Sequence, residues 1–497
     1  MQGAQLALDP RDARRLAAVY WDDRRDTRDT CSIAVSSDGG GTWTSRAFAG
    51  AGSGNPLPSG MTLCRNPVVA FGPDQTLYAA YEVARPSGFA QVELTSSTDR
   101  GTTFAPPVLV DPGVAGGGDL DPTIAAGRRA GEVYVSFQRY TADAGHADVY
   151  VVASTDAGVT VSAPASVSPP EQNAAGSRAS LAVGRGGALY VAWIDGSAVD
   201  LDAGGGIASI EVAASGDGGL SFGSPHTVAA VPGGCGPNDD CGNRYPAVAI
   251  VSPAAGRLVA AWNGAAYPDA SRIAVARSAD GGRRWTTATT LAPLAGTADR
   301  DQFAPDLAAA PDGRVDLAFL DRARDADVGL QDVEHVHSLD GGKTFSRPLV
   351  LDDVPSDTQR GDFAAAVSVG SSNAAAAAAW VDGRRGNTGD PATDVVFAAR
   401  PDSQAPRPPL VRGALVVRSG RAVAYRLSSS DAFTPAAALR FLCAFDGASM
   451  RPCARRFSLR LAPGRHTLRA RAVDGAGNRS TLTRVAVRAL PAISRPR

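Results

Sequence analysis

Five arginines are placed where they could share one acidic ligand: Arg65, Arg178, Arg244, Arg300 and Arg360. Each stands shortly before a short apolar segment. Several of these segments carry a Pro-x-x-Ala pattern, as in Pro67–Ala70, Pro246–Ala249 and Pro305–Ala308. Guanidinium groups bind carboxylates through bidentate charged hydrogen bonds. Arg outnumbers Lys by 48 to 1, so this chemistry is available throughout the chain. The competing use is local, with each arginine paired to an aspartate of a neighbouring loop.

Possible proton donors are few. An aromatic-x-Asp phrase recurs in Trp21-Asp22-Asp23, Trp193-Ile194-Asp195, Phe319-Leu320-Asp321 and Trp380-Val381-Asp382. Repetition favours a structural role, yet one copy, with Asp23 as the candidate, could act as a general acid. The six glutamates are Glu82, Glu93, Glu132, Glu171, Glu211 and Glu334. Glu82 follows Tyr81, and Tyr245 adjoins Arg244, so Glu82 and Tyr245 join Asp23 as candidates. Other signals are slight. His335 and His337 alternate as a metal pair would on a strand, and Asp119 with Asp121, or Asp239 with Asp240, could hold calcium. Arg360-Gly361-Asp362 spells an adhesion tripeptide that arises easily by chance. No phosphate-binding loop, Ser-His-Asp elbow or zinc motif is present, and no cofactor is implied.

These residues must be positioned by a repeat. The phrase Ser-x-Asp-x-Gly-x-(Thr/Ser)-aromatic occurs six times, with some variation at its last positions, and its aspartates are Asp38, Asp99, Asp156, Asp217, Asp280 and Asp340. The period is near sixty residues. Each copy follows a strand-like run such as Cys31–Val35 or Val149–Ala153, so the phrase reads as a hairpin turn. Asp accepts hydrogen bonds from nearby N–H groups, Gly supplies positive φ, and the aromatic can wedge between sheets. A further apolar strand ending in an aromatic appears seven times, in Leu16–Trp21, Leu77–Tyr81, Val133–Phe137, Leu189–Trp193, Leu258–Trp262, Val315–Phe319 and Ala374–Trp380. Four short strands per unit, repeated radially, make a propeller.

The six turns match the Asp box, and the chain resembles the sialidase-like Asp-box (BNR repeat) propellers over residues 1–402. The resemblance implies an all-β fold with seven blades, or alternatively six. The seventh would run from about Gln359 to Asp402 with its turn decayed to Arg400–Ser403. Propellers close by completing the last blade from the other terminus. Here the first strand begins near Gln5, so the last blade is short or a segment once preceded Met1. Sialidases hold a substrate carboxylate with an arginine triad, which suits the five arginines above. The implied activity is that of an exo-α-sialidase-type glycosidase. Two elements depart from the pattern: no Phe/Tyr-Arg-Ile-Pro element lies between Met1 and Leu16, and no Tyr–Glu nucleophile pair is specified. A retaining glycosidase needs two groups facing one anomeric carbon. The alternative is a non-catalytic surface or matrix interaction module.

The formal net charge of −1 implies no nucleic-acid or anionic-membrane partner. No apolar run reaches transmembrane length, and no secretory signal is visible at Met1. Of six cysteines, Cys235 with Cys241 and Cys443 with Cys453 form local pairs, leaving Cys31 and Cys64. An even set in local pairs favours disulfides and an extracellular or cell-surface location. A Pro-rich linker at 403–409 precedes residues 410–490, which read as short sandwich strands. The stretch Cys443–Gly447, Pro452-Cys453 and Gly464–Asn478 resembles bacterial Ig-like modules. The expected partner is a glycan or another extracellular ligand, bound by a monomer.

Overall fold

The computed structural model describes residues 2–22, 30–50, 52–85, 90–111, 118–141, 145–175, 178–197, 199–200, 205–232, 247–264, 271–292, 301–322, 330–357, 367–382 and 394–491. Among them every regular element is a β-strand. The chain divides into two compact units. One comprises Met1–Pro311, Val315–Ser372 and Ala376–Arg400; the other comprises Asp312–Arg314, Asn373–Ala375 and Pro401–Arg497.

The first unit is a succession of antiparallel sheets, here numbered one to seven along the chain. Their first strands are Gln2–Leu8, Leu63–Phe71, Gly118–Ala126, Ser180–Val183, Val248–Ala254, Gln302–Ala309 and Val367–Ser371. Each of these packs on the first strand of the next sheet, and Val367–Ser371 packs on Gln2–Leu8. The cycle is sealed by the Leu6 amide, which donates to Ser368 Oγ at 3.0 Å. This closed succession of first strands has the architecture of a β-propeller. In sheets two, six and seven the second strand is buried along its whole length, as in Leu77–Ala84, Val315–Asp321 and Ala375–Asp382. Both of its faces are covered by neighbouring sheets. That explains how the alanine-rich run at 375–379 holds as a strand despite the weak β preference of alanine: packing on both faces outweighs propensity.

Each of the six repeated phrases forms the turn between the third and fourth strands of its sheet. Within each turn the serine hydroxyl donates to the aspartate, as Ser36 Oγ does to Asp38 Oδ1 at 2.8 Å. The carboxylate then accepts the backbone N–H four residues on, as from Thr42 at 2.9 Å. The second glycine position needs positive φ; Gly342 is at +84°, and a Cβ there would come within 2.8 Å of Val259 in the preceding sheet. The closing aromatic fills the same seam. Phe104 packs with sheet one, Phe222 with sheet three, Trp285 with sheet four and Phe345 with sheet five. Val161 takes that place against sheet two.

Sheet seven has three strands, ending in Asp394–Pro401. Cys31 and Cys64 form a disulfide that joins the third strand of sheet one to the first strand of sheet two, with Cα atoms 5.6 Å apart. Cys235 and Cys241 lie outside the described residues.

The second unit is a two-sheet sandwich. Leu410–Arg412, Ala422–Ser428 and Arg456–Arg460 form one sheet. The other orders Val416–Arg418, Thr483–Leu490, Gly464–Val473, Arg440–Phe445 and Arg451–Cys453. Tyr425, Leu468 and Val487 lie in the core between them. A Cys443–Cys453 disulfide, with Cα atoms 5.7 Å apart, links Arg440–Phe445 to Arg451–Cys453.

Candidate ligand site on the inner strands

Three first strands share a local distortion. Asn66, Asp121 and Ala304 each precede a proline, and each has positive φ, at 46°, 53° and 49°. Register with the second strand breaks at the same points, between Arg65 and Val68 and between Phe303 and Asp306. In sheet three the break falls between Ser136 and Gln138 of the second strand. A bulge of this kind re-aims side chains, and positive φ in a residue other than glycine marks stored strain.

The re-aimed groups meet at Glu82. Asn66 Nδ2 donates to Glu82 Oε1 at 2.8 Å, and the Asp121 amide donates to the same oxygen at 2.7 Å. Glu82 is 2% exposed. Burial pushes its carboxyl up to about 7, and the neighbouring Asp121 charge adds to the rise; the two donors and the Arg178 charge oppose it. Asp306 of sheet six is similar. Its oxygens accept from the Val369 amide at 2.7 Å and the Leu307 amide at 3.0 Å. Burial raises it to about 6, and Arg178 again pulls the other way. Arg178, half-buried before the first strand of sheet four, thus acts electrostatically on carboxyls from sheets two and six. A guanidinium beside a carboxyl that can hold a proton near neutrality is a clamp for an anion next to a proton donor.

Of the other candidates, Arg65 lies directly opposite Glu82 in the register and stacks on Trp21, 5.2 Å from the ring centroid. Asp23, Tyr245, Arg244, Arg300 and Arg360 lie outside the described residues, as do Asp239 and Asp240. Asp119 and Asp121 diverge: Asp119 pairs with Arg139, at 3.3 Å, while the Asp121 amide serves Glu82. Arg139 also pairs with Asp111. His335 Nε2 lies 3.0 Å from Asp316, and Arg400 approaches Nδ1 of both His335 and His337, at 3.4 and 3.5 Å. A cation already occupies that pair. Among the described residues, no group of three His, Cys, Asp or Glu side chains could hold a metal ion.

Three glutamates sit opposite the aromatic of a second strand, in the pairs Tyr81–Glu93, Trp193–Glu211 and Phe319–Glu334. Tyr81 and Glu93 are hydrogen-bonded and buried in the core of sheets one and two. Burial and the Glu93 charge push the phenol well above its ordinary value, which holds it neutral, the opposite of a nucleophile's requirement. A cavity of about 780 Å³ lies elsewhere, among the repeated turns, lined by Arg128, Glu132, Thr160, Arg185 and Asp217.

The fold defines an all-β protein whose body is of the propeller class, with the buried Glu82 carboxyl bonded by Asn66 and the Asp121 amide on its inner strands. No family model matches the sequence, and no curated protein matches it. Solved structures are similar to it. A Hadza microbial sialidase is 16% identical, with 78% of this chain and 73% of that chain covered at a TM-score of 0.45. An ulvan lyase, a polysaccharide lyase with bound saccharide, is 13% identical, with coverage of 76% and 91% and a TM-score of 0.46. An α-L-arabinanase from Penicillium chrysogenum, complexed with arabinobiose, is 14% identical, with coverage of 67% and 92% and a TM-score of 0.44.

Proposed function

We propose that the first unit is a seven-bladed Asp-box propeller of the sialidase-like type, followed by an Ig-like module at 410–490. In this reading the protein is extracellular and binds a glycan that carries a carboxylate. Arg178 clamps the carboxylate, and Glu82 supplies the proton where the glycan is cleaved. The observation that carries the reading is that the Arg178 charge favours the ionised form of both the buried Glu82 and the half-buried Asp306. Arg65, Arg244, Arg300 and Arg360 are the proposed companions of Arg178, and Asp23 and Tyr245 the further catalytic candidates.

A non-catalytic binding module is the second reading. It is favoured by the burial of the Tyr81–Glu93 pair, which withholds that tyrosine from chemistry. Two measurements on the full chain separate the readings. Titration with sialic acid and galacturonic acid should give binding that Arg178→Ala weakens about 10- to 100-fold, the loss expected for one charged hydrogen-bonded pair. Turnover of a fluorogenic sialoside that Glu82→Gln abolishes would establish the enzyme. Binding without turnover in any protein would establish the module. No binding of either acidic sugar by the wild type would end the carboxylate-glycan reading and leave the scaffold module.

A further inference from the structure

The net charge of −1 conceals a division. Residues 403–497 hold 18 arginines and three aspartates, with no lysine or glutamate, so this segment carries +15 and residues 1–402 carry −16. Charge segregation on this scale marks a polyanion-binding segment.

The arginines are arranged. In the three-stranded sheet of the second unit, Arg412 lies directly opposite Arg426, and Arg426 directly opposite Arg456. All three are exposed on one face. Neighbouring strands are about 4.8 Å apart, so the row spans about 10 Å. Like charges directly opposite across strands destabilise a sheet. The aspartates of 403–497 are engaged elsewhere: Asp431 caps the Phe433 and Thr434 amides, Asp446 binds His466, and Asp474 accepts the Asn478 amide. None of the three arginines forms an ion pair with a carboxylate among the described residues. Along the row runs a shallow groove of about 360 Å³, lined by the three arginines with the outward Ala424 and Ser458 and by the inward-alternating Tyr425 and Phe457. Arg460, exposed two residues beyond Ser458, continues the positive edge.

We propose that this face binds an anionic polysaccharide, with the guanidinium row paired to carboxylates or sulfates along the chain. The planar guanidinium suits those oxyanions, and the shallow groove admits a ribbon of sugar rings. Nucleic acid is less well matched, because the outward side chains of these strands include no aromatic on which bases could stack. A bilayer surface is less well matched because the outward side chains of these strands offer a single large apolar group, Leu410, to insert. The face belongs to the second unit and is independent of the site around Arg178.

The experiment uses the full chain and a triple variant, Arg412→Gln, Arg426→Gln, Arg456→Gln. Polygalacturonate and dextran sulfate are the probes, and neutral dextran the control. The wild type should bind either polyanion with an affinity that falls as salt rises, and the triple variant should bind at least 10-fold more weakly. The free triple variant should melt higher than the wild type, because the unrelieved row is gone. A second variant, Arg465→Gln with Arg488→Gln, removes a cross-strand pair on the other sheet and should retain binding. Equal polyanion binding by wild type and triple variant would overturn the proposal, as would equal losses in the two variants. Tighter binding of a single-stranded oligonucleotide or of phosphatidylserine vesicles than of either polysaccharide would also overturn it.

Discussion

Trp43 meets Phe397 edge-on, with ring centroids 5.0 Å apart and planes at 70°. The contact joins the first repeated turn to the last strand of sheet seven. Every other repeated turn packs on the sheet before it in sequence; this one packs on the sheet at the far end of the body. Among the described residues sheet seven has no repeated turn of its own, and Trp43 and the backbone at Gly40 cover its outer strand. The Trp43 indole is fixed by its own turn, with Nε1 donating to the Gly40 carbonyl at 3.0 Å. A Cβ at Gly40 would overlap the Phe397 ring.

Phe397→Ala should therefore loosen the closure of the body. Phe397 is half-buried, so the expected loss is about 1–3 kcal/mol, below that of a fully buried aromatic. Urea denaturation followed by tryptophan fluorescence measures it. A change within about 0.5 kcal/mol, the scatter of ordinary surface substitutions, would show that the closure does not depend on this ring.

Local features were legible in the sequence and assembled ones were not. The turns around Asp38 and Asp217 are self-contained, since Ser, Asp, Gly and a Thr or second Ser within eight residues supply the donors and acceptors, and so their spacing exposes them. Glu82 stood out only by following Tyr81 at a strand end. Asp306 was hidden inside a Pro-x-x-Ala segment that reads as scaffold. What brings Asn66, Asp121 and Asp306 into use is the bulge before each proline, and a bulge is a pairing between strands that no single strand displays. Arg178 acts on carboxyls from two other sheets, a relation fixed only by packing of the inner strands. The arginine row was masked differently: opposite charges in the two units cancel in the total.

The buried Glu82 carboxyl makes stability depend on pH in a definite direction. Its folded value is about 7 against an ordinary 4.5. Between these values the folded protein keeps a proton that the unfolded chain has released. Stability therefore falls as pH rises from about 4.5 to about 7, by at most about 1.4 kcal/mol per pH unit from this one group. Glu82→Gln cannot ionise and should remove that share of the slope. Urea unfolding of both proteins at about pH 5 and about pH 7.5 measures it. Parallel pH dependence in the two proteins would mean that Glu82 ionises in the folded state as freely as in water.

The repeated turns give the opposite slope at lower pH. Hydrogen bonds from Ser221 and Ser215 hydroxyls and the Ser221 amide hold Asp217 down at about 2, against an ordinary 3.8. Asp38, Asp99 and Asp156 are held at about 2 by the same kind of contact. A carboxylate depressed on folding stabilises above its unfolded value, and that stabilisation is lost as pH falls through its folded value. The melting temperature should thus drop between about pH 4 and about pH 2 as these turns take up protons. Asp217→Asn keeps an acceptor oxygen but has no charge to lose. It should melt lower than the wild type near neutrality, and the gap should narrow as the acid titration proceeds. Thermal melts across that range test it. A gap of constant size from neutral to acid pH would show that the charge on Asp217 adds nothing to the turn beyond the shape of its side chain.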